Sequence, residues 1–213
     1  MTDLFFIRHG RTAWNEEGRF QGHLNSELND IGLEQASALG KRFADADFAH
    51  VYSSDLGRAR QTAEALTKFH SVSILEEAAL RERCMGVFQG LTGTEIIRDH
   101  GASWKLFKEK DPDYRMPEGE SINDVLARAH GFLEHVRTEH AGERVAAVTH
   151  GGWIRLVLKD LLGMEQNRAA PFKVFNTSVH HLRFVDDKWW VFSMGDVAHL
   201  DEKLLRTSTP YVL

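Results

Sequence analysis

Three short stretches set histidine or arginine just beyond apolar runs. Arg8-His9-Gly10 follows Leu4-Phe5-Phe6-Ile7, Ser53-Ser54-Asp55-Leu56-Gly57-Arg58 follows Val51-Tyr52, and Thr149-His150-Gly151-Gly152 follows Val145-Ala146-Ala147-Val148. Guanidinium forks match phosphate oxygens bidentately. A neutral imidazole is a nucleophile that phosphate oxygens repel little. Helix N-termini add free N–H groups and the positive end of the helix dipole. Gathered at one place, two histidines and two arginines would hold a dianionic phosphoryl group. Arg8 and Arg58 would lower the pKa of His9, keep it neutral, and offset charge on the group in transit. Each corner alone reads as an ordinary strand end or turn; their repetition at corresponding places carries the chemistry.

The corners can meet only if the runs are parallel strands of one sheet. Strand-like runs fall at 4–7, 51–53, 145–149 and 179–185. Runs that are apolar on both faces suit central parallel strands. Between them, residues 32–48 space Leu33, Ala36, Leu39 and Phe43 at helical steps, 59–69 do likewise, and 121–139 form a long amphipathic pattern. Ser121 followed by Asp124 reads as the cap of that last helix. Alternating strands and helices predict α/β architecture: a three-layer α/β/α sandwich with a mainly parallel central sheet, whose ligands sit beyond the carboxyl ends of the strands.

The chain of 213 residues is expected to be one domain, 1–213, with a lid-like insertion at about 83–118. Of four prolines (Pro112, Pro117, Pro171 and Pro210), two bracket the loop-like "KDPDYRMPEGES". An apolar share of 42% with 27% charged residues is ordinary for a globular chain. The net charge of −5, without a dense basic tract, argues against nucleic acid or an anionic membrane as partner. The single cysteine, Cys84, permits no intrachain disulfide and no Cys-rich zinc site, which suits a reducing cytosol. No run approaches the ~20 apolar residues of a membrane span, and Met1-Thr2-Asp3-Leu4 lacks the basic start of a signal peptide. A cytoplasmic location is expected. The apolar "KWWVF" segment is a candidate edge strand, and the oligomeric state stays open.

"RHGRTAWN" resembles the signature of the histidine phosphatase superfamily, the phosphoglycerate mutase-like fold. The likeness continues through "RFQGHLNSELNDIG", "VYSSDLGRARQTAEAL", "LRERCMGVFQGLT", "EGES" and "VAAVTHGG" to "GDVAHL", nearly the whole chain in the family's order. The resemblance implies that His9 accepts the phosphoryl group as a phosphohistidine, clamped by Arg8, Arg58 and His150. It assigns Asn15 to a phosphate oxygen, Gln21 and Gly22 to the loop over the substrate, and Arg60 and the Gly151 backbone to the rim. Thr12 and Ser53 shape the corners. Glu82, in the family's Leu-Arg-Glu, serves in turn as acid for the leaving group and base for water. Arg81 and Arg83 are expected as ion-pair partners. The sequence departs from the family where Glu27 precedes Leu28 in place of proline, and where Gly195-Asp196 replaces Asn-Asp; neither departure touches the phosphoryl pocket.

Three other readings compete. A histidine-rich metal site finds little support: His180 and His181 point to opposite faces of a strand, no HExxH occurs, and arginines can supply the positive charge. No metal and no cofactor are expected. A non-catalytic binding relative would be expected to lack one of His9, Arg58, Glu82 or His150, and all are present. Mutases of the family carry Glu where Arg11 stands, a longer insertion than 83–118, and Asn where Gly152 stands, so the sequence favours hydrolysis over transfer. The substrate is expected to be a small phosphorylated metabolite. Trp104, Phe107 and Tyr114 either stack on it or pack the insertion; Lys105, Lys108, Lys110 and Arg115 either hold a second anionic group or are solvated.

Overall fold

The computed structural model describes residues 1–208; Pro210 and the end of the expected 1–213 domain lie outside the described residues. In chain order come β1 (Thr2–Arg8), α1 (Ala13–Glu17), α2 (Asp30–Arg42), β2 (His50–Ser53), α3 (Gly57–Thr67) and β3 (Ile74–Glu76). Two 3₁₀ turns, Ala78–Leu80 and Gly86–Phe88, lead to α4 (Gly93–Glu109) and α5 (Ile122–Glu139). Next are β4 (Arg144–Thr149), α6 (Gly151–Leu161), β5 (Val179–Val185), β6 (Lys188–Asp196) and α7 (Glu202–Thr207). No helix among the described residues is long and apolar enough to cross a membrane.

The sheet order is β3-β2-β4-β1-β5-β6. The first four strands are parallel, and β5 and β6 are antiparallel. Register decides what the site receives. Arg8 lies opposite Thr149, and Ser53 opposite Val148, so three strands end level and release their corners at one edge.

Alternation along the strands fills two cores. Leu4, Phe6, Val145 and Ala147 face α5 and α6, where Phe6 meets Trp153 edge-on; Ile7, Ala146 and Val148 face α2 and α3. This is the expected three-layer sandwich. Residues 83–118 add a small core of Met85, Phe88, Ile96 and Met116, against which Trp104 and Phe107 pack with Phe20. Those two aromatics therefore build the insertion's own interior.

Some elements differ from the sequence reading. α2 begins at Asp30, capped by Asn29, and stops at Arg42; on it Leu33 faces solvent while Ala36 and Leu39 are buried. The three-residue β3 carries no pattern long enough to predict. The Ser121–Asp124 capping box forms as expected. The "KWWVF" segment lies in β6 at the sheet edge, with Trp190 and Phe192 exposed on it. At Gly195 the backbone takes φ +68°, a region that asparagine tolerates and glycine enters freely, which explains why either residue suits the position.

One close approach locks the first corner to α2. A Cβ on Gly32 would lie 2.0 Å from the Arg11 carbonyl oxygen, and a Cβ on Gly10 would lie 2.6 Å from that of Gly32. Backbone meets backbone there, and neither side can yield cheaply. Gly32→Ala is expected to destabilise the protein by about 1–3 kcal/mol. Gly131→Ala, where a Cβ meets open space on α5, is expected to stabilise by up to about 1 kcal/mol. Urea unfolding of both variants checks the contrast.

Candidate active site

His9 follows β1 directly and is 3% exposed. Its Nδ1 lies 2.7 Å from the Gly10 carbonyl. A carbonyl only accepts, so Nδ1 carries the hydrogen, and the neutral ring presents a bare Nε2 lone pair. Burial first, then Arg58 and Arg8, hold the His9 pKa well below that of an ordinary histidine. The corner is strapped on all sides: Gly10 N–H donates to Thr62 Oγ1, Asn176 Nδ2 donates to the His9 carbonyl, and Thr177 N–H donates to the Arg8 carbonyl.

Arg8, at the end of β1, donates from Nη1 to the Val174 carbonyl. Arg58 sits in the first turn of α3, 1% exposed, and donates to the Gly22 and Leu24 carbonyls at 2.8 Å each. Its Nε is buried with no partner among the described residues. Burial pushes the Arg58 pKa down to about 10, opposed by Glu82 and reinforced by Arg8. The group remains a cation at neutral pH.

His150 caps the N-terminus of α6, its ring 5.2 Å from that of His9. Nε2 lies 2.8 Å from Ser54 Oγ, while Nδ1 is buried with no partner among the described residues. Burial, then Arg58 and His9, hold its pKa well below the usual value.

Glu82 comes from the stretch after the first 3₁₀ turn, yet its carboxylate sits on the N-terminus of α6. Oε1 accepts from the Arg83 and Trp153 N–H groups, and Oε2 from that of Gly152. Two donors occupy Oε1 and one occupies Oε2, so Oε2 keeps a lone-pair direction for a proton. Arg128 holds this stretch by donating to the Ala79, Arg81 and Glu82 carbonyls, and His23 Nε2 donates to the Glu82 carbonyl.

Of the remaining candidates, Asn15 accepts through Oδ1 from Thr12 N–H and Asn176 Nδ2, leaving its own amide Nδ2 as a donor. Gln21 donates to Thr12 Oγ1. Gly22 takes φ +52°, which glycine enters freely, and a Cβ there would lie 2.1 Å from Gln89 Oε1 and displace that side chain. Gly151 is the buried first residue of α6. Arg60 is not brought to the group: two residues past Arg58 on α3, it is half-exposed and paired with Glu64 and Glu76. Glu27, standing where proline is common, accepts from Gln61, whose Oε1 accepts from Leu28 N–H at 2.9 Å and so ties the loop to α3. Arg81 pairs with Asp55 as expected; Arg83 donates to the Glu120 and Tyr114 carbonyls.

Sequence reasoning missed Ser54, Gln89, Arg128 and Asn176. Gln89 accepts from His23 N–H and so bridges the 83–118 segment to the loop above Arg58. These four position others, and no signal short of the fold marks them. The assembled corner, with two buried cations, two uncharged imidazoles and one carboxylate, is fitted to a dianion and can pass it to the bare nitrogen of His9.

Comparison with known proteins agrees with this chemistry. The model of the histidine phosphatase superfamily (branch 1) matches residues 4–197. The Arabidopsis thaliana phosphoglycerate mutase-like protein 4 is 38% identical over 209 residues, covering 94% of this chain and 87% of its own. The metal-independent phosphoserine phosphatase of the same plant is 37% identical over 203 residues, covering 94% and 84%. Among solved structures, Bacillus stearothermophilus YhfR superposes with a TM-score of 0.87 at 32% identity, covering 93% of this chain and 99% of that one.

The buried histidines set a pH dependence. His180 is pushed down to about 3 and His199 to about 4, mainly by burial, with His9 and His150 also lowered. As pH falls below about 6.5, the unfolded chain takes up protons that the folded chain refuses, so stability declines. Each fully refused proton contributes a slope of about 1.4 kcal/mol per pH unit. Urea unfolding between pH 6.5 and 5, above the range of the lowered carboxylates, should show this decline, and His180→Gln should make it shallower by about one proton.

Proposed function

The chain belongs to the histidine phosphatase superfamily, and from that premise we propose that it hydrolyses phosphomonoesters of small metabolites through a phosphohistidine on His9. The observation that carries the reading is the His9 ring itself: neutral, fixed by Gly10 with Nε2 bare, and set among guanidiniums. Nε2 attacks phosphorus in line, and an N–P bond forms as the bond to the leaving oxygen breaks. Glu82, which enters this step protonated at Oε2, gives that proton to the leaving oxygen, which departs as an alcohol. Water then attacks phosphorus, passes a proton to Oε2 and breaks the N–P bond, releasing inorganic phosphate.

Arg8 and Arg58 neutralise the oxygens during both steps, so no metal or cofactor enters the scheme. His150 donates from Nδ1, the ring atom with no partner among the described residues, while Nε2 accepts from the Ser54 hydroxyl. The Asn15 amide and the Gly151 N–H add donors, and Gln21 and Gly22 close the loop above. Arg60, turned to solvent, has no role here.

The leaving group carries a further negative charge. Beside Gly152, whose N–H holds Glu82, lies a cleft lined by Arg83, Lys108, Lys110, Arg155 and Lys159. The cations crowd one another: Lys159, whose ammonium donates to the Gln166 and Arg168 carbonyls, is lowered to about 8 by burial and then by Arg155 and Lys110. A carboxylate relieves that crowding, which favours small acids such as phosphoserine, the substrate named for the plant relative. Residues 83–118 form the lid of this cleft within a single domain.

Stopped-flow quenching with phosphoserine or p-nitrophenyl phosphate should trap an acid-labile, base-stable phosphoenzyme. His9→Ala should abolish both the phosphoenzyme and turnover, whereas Glu82→Gln should slow turnover by about 10²–10⁴-fold. With 2,3-bisphosphoglycerate present, 3-phosphoglycerate should give no 2-phosphoglycerate; sustained interconversion would replace hydrolysis by mutase transfer.

A further inference from the structure

The parallel strands have a second end, and there three segments converge away from the catalytic corner. His50 begins β2, His140 caps the C-terminus of α5, and Glu143 lies in the turn that enters β4. His50 Nε2 and His140 Nδ1 each lie 3.1 Å from one oxygen, Oε2 of Glu143. The three candidate ligand atoms all fall within 4.8 Å of one another. Two donors on a tetrahedral Zn²⁺, bound at about 2.0–2.1 Å, stand roughly 3.3 Å apart. The group is thus already close to the spacing of a coordination sphere.

We propose that His50, His140 and Glu143 bind a divalent transition metal, Zn²⁺ by its donor set, that staples the α5–β4 turn to β2. Two imidazoles and a carboxylate are borderline donors suited to zinc, with water as the fourth ligand. The site stays open for it: the side chains of His50 and Glu143 are 34% and 41% exposed.

A ligating histidine needs its other nitrogen held, and a second set of contacts supplies this. His140 Nε2 lies 2.8 Å from the Tyr52 hydroxyl, which lies 3.0 Å from His135 Nε2. Without metal, His140 Nδ1 donates to Glu143 and Nε2 accepts from Tyr52. Coordination through Nδ1 moves the ring hydrogen to Nε2, which donates to the Tyr52 oxygen, while Tyr52 donates onward to His135 Nε2, whose own hydrogen moves to Nδ1. His50 moves its hydrogen from Nε2 to Nδ1. No proton leaves the chain, because a tyrosine hydroxyl can reverse its direction.

The site lies about six β-residues from His150 along β4, roughly 20 Å. Its metal therefore acts on stability and leaves phosphoryl chemistry alone.

The test titrates the full-length protein, freed of metal by a chelator, with Zn²⁺ against a chromophoric competitor, and with Co²⁺ for its visible d–d absorption. One equivalent should bind, with the absorption of tetrahedral Co²⁺. At free Zn²⁺ a hundredfold above the dissociation constant, the melting midpoint should rise by about 5–10 °C, with turnover unchanged. Tyr52→Phe should weaken binding about 10–100-fold, and His50→Ala and Glu143→Gln, both at partly exposed positions, by at least as much. His9→Ala should bind as the parent does. Absence of saturable binding, or unchanged affinity in both His50→Ala and Glu143→Gln, would overturn the assignment. Loss confined to His9→Ala would move the ion to the catalytic corner and overturn it equally.

Discussion

Two guanidiniums, from Arg8 and Arg58, are buried to 2% exposure or less and both press on one imidazole. Burying like charges together is costly unless something offsets them. Within the protein one carboxylate, Glu82, does so in part, opposing the lowering of Arg58. The rest of the field is directed to a ligand of opposite charge. Burial first and this field second keep His9 and His150 neutral, and a neutral His9 is what an attack on phosphorus requires. On the proposed mechanism the same arrangement binds the phosphoryl group and prepares its acceptor.

Holding that field together falls to the fold. Parallel register brings Arg8 level with Thr149 and Ser53 level with Val148, so the corners need no long excursions to meet. The joints are then fixed by contacts with no slack: the Gly10–Gly32 backbone approach, Thr62 on Gly10, Asn176 on His9, and Arg128 on the stretch that carries Glu82. Glu82 itself is placed by α6, whose free N–H groups are the natural seat of a carboxylate. A group about 70 residues upstream is in this way delivered beside His150. The His50–His140–Glu143 cluster lies at the opposite end of the sheet, beyond reach of the reacting atoms.

The layered fold was legible because its strands are apolar on both faces and its helices keep a clear stripe. β3 was not, since three residues carry no period. Leu33 misled because it lies about 120° around the helix from Leu39, beyond the edge of the buried stripe. In the site, the residues at strand ends could be read from type and position. Arg60 shows the limit of a motif: it stands two residues from Arg58 in the same signature, yet about 200° around the helix, and so faces water. Ser54, Gln89, Arg128 and Asn176 were invisible because each acts on a neighbour remote in sequence. The metal-type cluster was missed for the same reason: His50 meets the His140–Glu143 pair only after β2 and β4 align.

A crystal structure of the enzyme with vanadate, a mimic of the transferring phosphoryl group, tests the central claim most directly. Vanadium should bond to His9 Nε2, with its equatorial oxygens on Arg8, Arg58 and His150 and an apical oxygen within hydrogen-bond reach of Glu82 Oε2. Vanadate held elsewhere, or seated in the corner with Glu82 turned away from the apical oxygen, would contradict it.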